Sequence, residues 1–304
     1  MGDLPAAAIR FAIYADLLGL FGLAAFLWLA LGRSERHRAF GFPPPRVFLL
    51  LVVGAILLSG LGLMAVTAQM SGTAIAGVDL SSIRVVLFET SLGTSWIARI
   101  AALVLALSCT LTPRPIWPGI VISSGVALAT LAWVGHGVMH EGPEGWVHLG
   151  ADILHLIAAA GWFGSLVGFL LLLAASRTEP ELLHVAHRAL KGFATIGTGL
   201  VFTIILTGLI NAWFTVGIGF VGRLLTSGYS ILLLAKLALV MMMLALASIN
   251  RFRFTPALGR SFAIGHADDA RKTLWISVLA EAMLGVVVLA VVAWLGLLES
   301  PMST

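Results

Sequence analysis

Residues 133–162 read WVGHGVMHEGPEGWVHLGADILHLIAAAGW, two apolar segments interrupted at Gly142-Pro143-Glu144-Gly145. Gly and Pro together break a helix and Pro sets the bend, so the stretch is expected to fold as a helical hairpin. It carries His136, His140, His148 and His155, half of the chain's eight histidines. Two fall at the end of the first helix and two at the start of the second. On the second helix His148, Asp152 and His155 follow at i, i+4 and i+7, which at about 100° per residue places them on one face. Such a hairpin can bring several imidazoles and a carboxylate to one point, a donor set that suits a soft or borderline metal such as copper or zinc.

The rest of the chain explains why a hairpin there would cross a membrane. Of 304 residues 60% are hydrophobic and 11% are charged, against about 25% charged in soluble domains. The composition predicts an all-α, polytopic transmembrane bundle with one integral membrane domain over residues 1–304. Runs of about 20 apolar residues, enough to cross roughly 30 Å of hydrocarbon, are read at 6–32, 44–70, 93–112, 116–138, 147–175, 190–214, 229–250 and 274–298. The single cysteine, Cys109, excludes an internal disulfide and a multi-thiolate metal site, and in ALSCTL it reads as packing. The opening MGDLP lacks a basic n-region, so no cleavable signal peptide is expected.

Loop charge predicts orientation. Arg33, Arg36, Arg38, Arg46, Arg114, Arg177, Arg188, Lys191, Arg251, Arg253, Arg260, Arg271 and Lys272 fall on one side, and only Arg10, Arg84 and Arg223 on the other. The positive-inside rule then makes the basic loops cytoplasmic, both termini periplasmic and the histidine turn outward-facing.

Short matches recur in the same order in both halves. Ala15-Asp16-Leu17-Leu18 matches Ala151-Asp152-Ile153-Leu154, Ser59-Gly60-Leu61 matches Thr207-Gly208-Leu209, Thr90 with Arg99 is echoed by Thr226 with Lys236, and Ala132-Trp133-Val134-Gly135 matches Ala293-Trp294-Leu295-Gly296. This order favours two parallel four-helix repeats, with halves at 1–140 and 141–304. The histidines are not repeated, so function would sit on one seam.

A charge at mid-membrane costs at least about 2.5–3.5 kcal/mol on insertion scales and needs a partner or a cavity. Asp16, Arg99, Asp152 and Lys236 all map to the outer half. They are expected either to line a water-accessible vestibule or to pair as Asp16 and Asp152 with Arg99 and Lys236. Glu281 maps toward the cytoplasmic side, as a pairing group or part of an exit path. His37, His184, His187 and His266 read as solvated loop residues. Met139 adds a soft thioether inside the turn, Met64 and Met70 approach the same surface, and Met241-Met242-Met243 reads as packing. Trp96, Trp146 and Trp213 read as interfacial anchors, and Asn250-Arg251 as the cytoplasmic cap of the seventh helix. No Walker loop, phosphorylatable DKTG-like aspartate or nucleotide domain is present, so the chain is read as non-enzymatic.

The stretches TSLGTSWIAR at 90–99, HLIAAAGWFGSL at 155–166, and LTSGYSILLLAK with NRFRFTP between 225 and 256 make the chain resemble the copper-resistance D family of bacterial inner-membrane proteins along nearly its whole length. The resemblance implies about eight transmembrane helices and a role in copper handling with a separate periplasmic copper carrier of the CopC type. Copper would then be received by His136, His140 and His148 with Met139, and passed to Asp152 and His155. Two other readings remain open: a b-type haem protein in electron transfer, with two of these histidines as axial ligands, and an assembly subunit without a ligand.

Overall fold

A computed structural model describes residues 3–38, 44–134, 142–216, 228–264 and 267–298. The chain is a polytopic helical bundle with no strand among those residues. Its helices are α1 (Asp3–Ala30), α2 (Arg33–Arg38), α3 (Pro44–Ser71), α4 (Leu80–Glu89), α5 (Ser91–Leu111), α6 (Trp117–Ala129), α7 (Gly142–Ala175), α8 (Glu181–Val216), α9 (Gly228–Ile249), α10 (Thr255–Ile264) and α11 (Ala267–Leu295). Seven helical segments are long and apolar enough to span a bilayer, and the shorter apolar segment Trp117–Trp133 stands between the third and fourth of them. These are the eight apolar segments expected from the sequence.

Three connections depart from expectation, each because local capping or packing outweighs polarity. The polar stretch after α3 contains α4, started by Asp79, whose side chain accepts the Ser82 amide at 2.8 Å. Leu80, Val85 and Phe88 on α4 are exposed while Val86 is buried, as in a helix lying at a membrane interface. Residues 181–189, which precede the apolar run expected at 190–214, form the first part of α8; there His184 and His187 pack on Phe262 of α10, with ring centroids 4.2 and 5.5 Å away. The seventh span does not stop at Asn250. It passes through a π-helical turn, Asn250–Phe254, and continues as α10.

The bundle is built on the crossing of α1 and α7. Ala160, Gly164 and Gly168 recur every fourth residue along α7 and form a groove of small residues. A Cβ on Gly22 of α1 would overlap the Ala160 carbonyl, one on Gly164 would overlap the Gly22 backbone, and one on Gly168 would enter the Phe26 ring. Backbone therefore meets backbone. Phe26 and Phe169 lock the crossing edge to face at 4.9 Å. Around this pair α1 packs on α3, α6 and α11, and α7 on α8, α11 and α6.

One end of the bundle holds the described part of the histidine hairpin; the opposite end is rich in arginine. At the arginine end Arg36 donates to the carbonyls of Leu31 and Trp28, each at 3.0 Å, completing the exposed C-terminus of α1 with a cation. Arg188 of α8 grips Glu35 of α2 with two hydrogen bonds of 2.8 and 2.7 Å. The packing readings for cysteine and methionine agree with the fold: Cys109 is buried, Met243 is buried, and Met241 and Met242 are exposed on the outside of α9.

Candidate metal centre at the histidine end

His155 gives the most informative geometry. Its Nδ1 lies 3.0 Å from Thr207 Oγ1 of α8. The Thr207 hydroxyl already donates its one proton to the Thr203 carbonyl at 2.6 Å, so toward the imidazole it can only accept. Nδ1 therefore carries the hydrogen in the neutral ring, and the lone pair belongs to Nε2. A protein group that binds one ring nitrogen and leaves the other basic is the usual way a metal-binding histidine is oriented.

One turn nearer the hairpin, Asp152 accepts a hydrogen bond from Asn211 Nδ2 of α8 at 3.2 Å. Asp152 and His155 are three residues apart and so are neighbours on the α7 surface. Asn211 Oδ1 is buried and accepts nothing from a described residue. Lys236 of α9, half-buried, lies close enough for its charge to act on both Asp152 and His155. The layer thus offers an imidazole nitrogen, a carboxylate and an amide oxygen, with an ammonium group at its edge.

His148 is placed differently. It is 2% exposed and its ring stacks on Phe214 of α8, with centroids 5.0 Å apart and planes 17° from parallel. His136, Met139 and His140 lie outside the described residues, so their contribution to a common site has no description in the structure. Among the described residues no three His, Cys, Asp or Glu side chains stand together as a metal cluster.

Among the described residues Asp16 and Arg99 do not pair with each other. Arg99 is 1% exposed; its Nε donates to Thr130 Oγ1 at 2.7 Å, a terminal nitrogen donates to the Thr130 carbonyl at 3.3 Å, and its guanidinium lies 4.9 Å over the Trp96 ring. It is held by hydroxyl, carbonyl and aromatic face rather than by Asp16. Asp16 points at Gly54 of α3, and its Oδ2 is buried with no described partner. Arg10, Tyr14, Gln69, Trp96 and Arg99 line a cavity of about 60 Å³. Trp96 is no interfacial anchor: it is 3% exposed and donates to the Ser59 carbonyl at 2.9 Å. Trp146 and Trp213 are exposed, as interfacial residues would be.

Sequence reasoning passed over Thr207 and Asn211. The signal was present: Thr203, Thr207, Asn211 and Thr215 recur every fourth residue in an otherwise apolar helix, which is one polar stripe along α8. It was read only as a short repeat match at Thr207-Gly208. Asn250, expected as a helix cap, is buried and donates to Glu281 at 2.9 Å.

The chain as a whole is similar to several known proteins. Residues 1–146 match the model of the copper resistance protein D-like N-terminal domain, and residues 187–295 match the model of copper resistance protein D. Over 307 residues the chain is 38% identical to copper resistance protein D of Pseudomonas syringae pv. tomato, covering 99% of each. It is 29% identical to the inner membrane protein YebZ of Escherichia coli K12, covering 96% of this chain and 97% of that one. It is 30% identical over 209 residues to the copper transport protein CutJ of Bacillus subtilis, covering 66% of this chain and 37% of that one. No solved structure matches it. With two family models matched in order and a relative aligned end to end, this multi-pass membrane protein belongs to the copper resistance protein D family.

Proposed function

We propose that the chain is a non-enzymatic carrier that moves or delivers copper across the bacterial inner membrane, taking the ion at the histidine end of the bundle. The observation that carries this reading is the hydrogen bond from His155 Nδ1 to Thr207, which leaves the lone pair on Nε2, one helical turn from Asp152. The unpartnered Asn211 Oδ1 in the same layer supports it, as do the copper-related names of two relatives. His148, His136, His140 and Met139 belong to the receiving end, and Asp152 and His155 to the deeper station. Asp16, Arg99 and Lys236 set the potential around them. The arginine end faces the cytoplasm and both termini the periplasm, by the positive-inside rule. A periplasmic copper carrier of the CopC type would dock at the histidine end.

The same reading divides the chain into halves at 1–140 and 141–304. In support, α1 packs on α3 and α6 as α7 packs on α8 and α11, and α5 packs on α6 as α9 packs on α11.

The test is metal analysis and copper titration of the purified chain. Stoichiometric copper is expected in the wild type, lost in His155→Ala and retained in His266→Ala. Equal behaviour of the two variants would contradict the site. A Soret band with no bound copper would instead make this a haem protein.

A further inference from the structure

A second polar cluster, centred on Glu281 and reached from α7 by Trp162, about two turns beyond His155, shares no residue with the copper layer. Glu281 is 2% exposed near the middle of α11. Its Oε1 accepts from Trp162 Nε1 of α7 at 2.8 Å, and its Oε2 accepts from Asn250 Nδ2 at 2.9 Å. Both donors are neutral, and among the described residues no cation lies within ion-pair distance of the carboxyl group. Asn250 is 7% exposed, and its Oδ1 is buried and accepts nothing from a described residue.

The cluster forms one wall of a cavity of about 280 Å³ between α8 and α9. Asn250 reaches it because the π-helical turn advances the chain by an extra residue there, a distortion that often marks a functional position. The charged groups around Glu281 are turned elsewhere. Arg251 bonds Thr198 of α8 across the cavity and lies over the Phe252 ring. Arg271, ten residues along α11, is taken by Asp268 and the Leu173 carbonyl. On α10 Arg260 is exposed. From α1, Asp16 faces α3, and Arg10 approaches Gly296 at the opposite end of α11. On α7 the nearest titratable group is His155, seven residues or about 10 Å from Trp162 along the helix.

A carboxylate this deep is stable only when its charge is neutralised. A side-chain amide, which carries both donors and an acceptor, can serve both forms of its partner at the same distance. Its NH₂ donates to the carboxylate, and after a half-turn its oxygen accepts the O–H of the carboxylic acid. We propose that Glu281 and Asn250 form a proton-binding site in the wall of the α8–α9 cavity, the amide turning over as the carboxyl group takes up or releases its proton. The step is Glu281–COO⁻ plus H⁺ giving Glu281–COOH, with no change of oxidation state. It goes beyond the copper reading, and its deciding measurement contains no copper, so the two stand or fall separately.

The experiment is pH-difference infrared spectroscopy of the full chain in phospholipid vesicles. A protonated-carboxyl stretch should appear on acidification, be missing from Glu281→Gln, and shift in Trp162→Phe, which removes one hydrogen bond while keeping an aromatic ring. The same band persisting in Glu281→Gln would overturn the proposal, as would its absence from the wild type. If Glu281→Gln is not recovered folded, Trp162→Phe decides alone: an unmoved band overturns the site. Sodium chloride at fixed pH should leave the band unchanged; its loss would show a metal cation in place of the proton and overturn the assignment.

Discussion

At His155 a single hydroxyl decides what the ring can do. Because Thr207 spends its proton on the Thr203 carbonyl, exchanging it for valine removes the acceptor that holds Nδ1–H and releases the tautomer. Loss of such an orienting partner typically lowers metal affinity about 10–100-fold. A loss of that size is therefore expected for Thr207→Val in a copper titration, with helicity unchanged; wild-type affinity would show that the hydroxyl only packs. Another single pair sets a pH dependence at the arginine end. Glu35 is held below the usual carboxylate range, chiefly by its hydrogen bonds from Arg188. A depressed carboxyl group contributes stability above its unfolded pKa and loses it as pH falls through the folded one. Acidification should thus weaken the α2–α8 link, and Glu35→Gln should abolish that part of the acid dependence of thermal unfolding. Arg188 is 57% exposed, so the effect is that of a surface pair, about 0.2–1 kcal/mol.

Between helices, the closest approach is the crossing of α1 and α7, and it depends on the absence of side-chain atoms. Gly164→Ala puts a methyl group into the Gly22 backbone, so the helices must separate. Overpacking of this kind costs about 1–3 kcal/mol. Gly192→Ala on α8 meets nothing within 4 Å and serves as the control. In detergent the first variant should unfold at lower temperature and the second should not; matching curves would mean that the crossing is looser than the structure shows. The α7–α8 pair works by a different rule. There Thr207 and Asn211 face His155 and Asp152, so these contacts are polar and specify which atoms remain available to a ligand.

Over the whole bundle, burial is uneven in a way that suits a carrier. Most of the apolar part of α7 is buried inside the protein, whereas almost none of that of α8 is. The central helices are wrapped by protein, whereas α8 and the adjoining cavity stand on the lipid side. Orientation is open to a direct check, because Cys109 is the chain's one cysteine and is buried. In a Cys109→Ala background, Glu144→Cys at the histidine end should react with a membrane-impermeant thiol reagent added to intact spheroplasts. Arg177→Cys at the arginine end should react only after permeabilisation. The reverse pattern would invert the bundle and place the histidine layer inside.

The amino-acid sequence was enough for the membrane class, the eight apolar segments and the face shared by His148, Asp152 and His155, but Gly142-Pro143-Glu144-Gly145, expected as the turn, is instead the first turn of α7, where Pro is tolerated because its missing N–H would have no helical partner. The first three properties follow from hydrophobic run length and helical period, which are local. It was not enough to tell that Arg99 would bond Thr130 rather than Asp16, that His148 would stack on Phe214 beside the polar layer, or that Asn250 would turn inward to Glu281. Each of these is a choice among partners on other helices. Hydrophobic pattern says which side of a helix is buried, but only the packing of α7, α8, α9 and α11 around the α1–α7 crossing fixes which buried polar atoms meet.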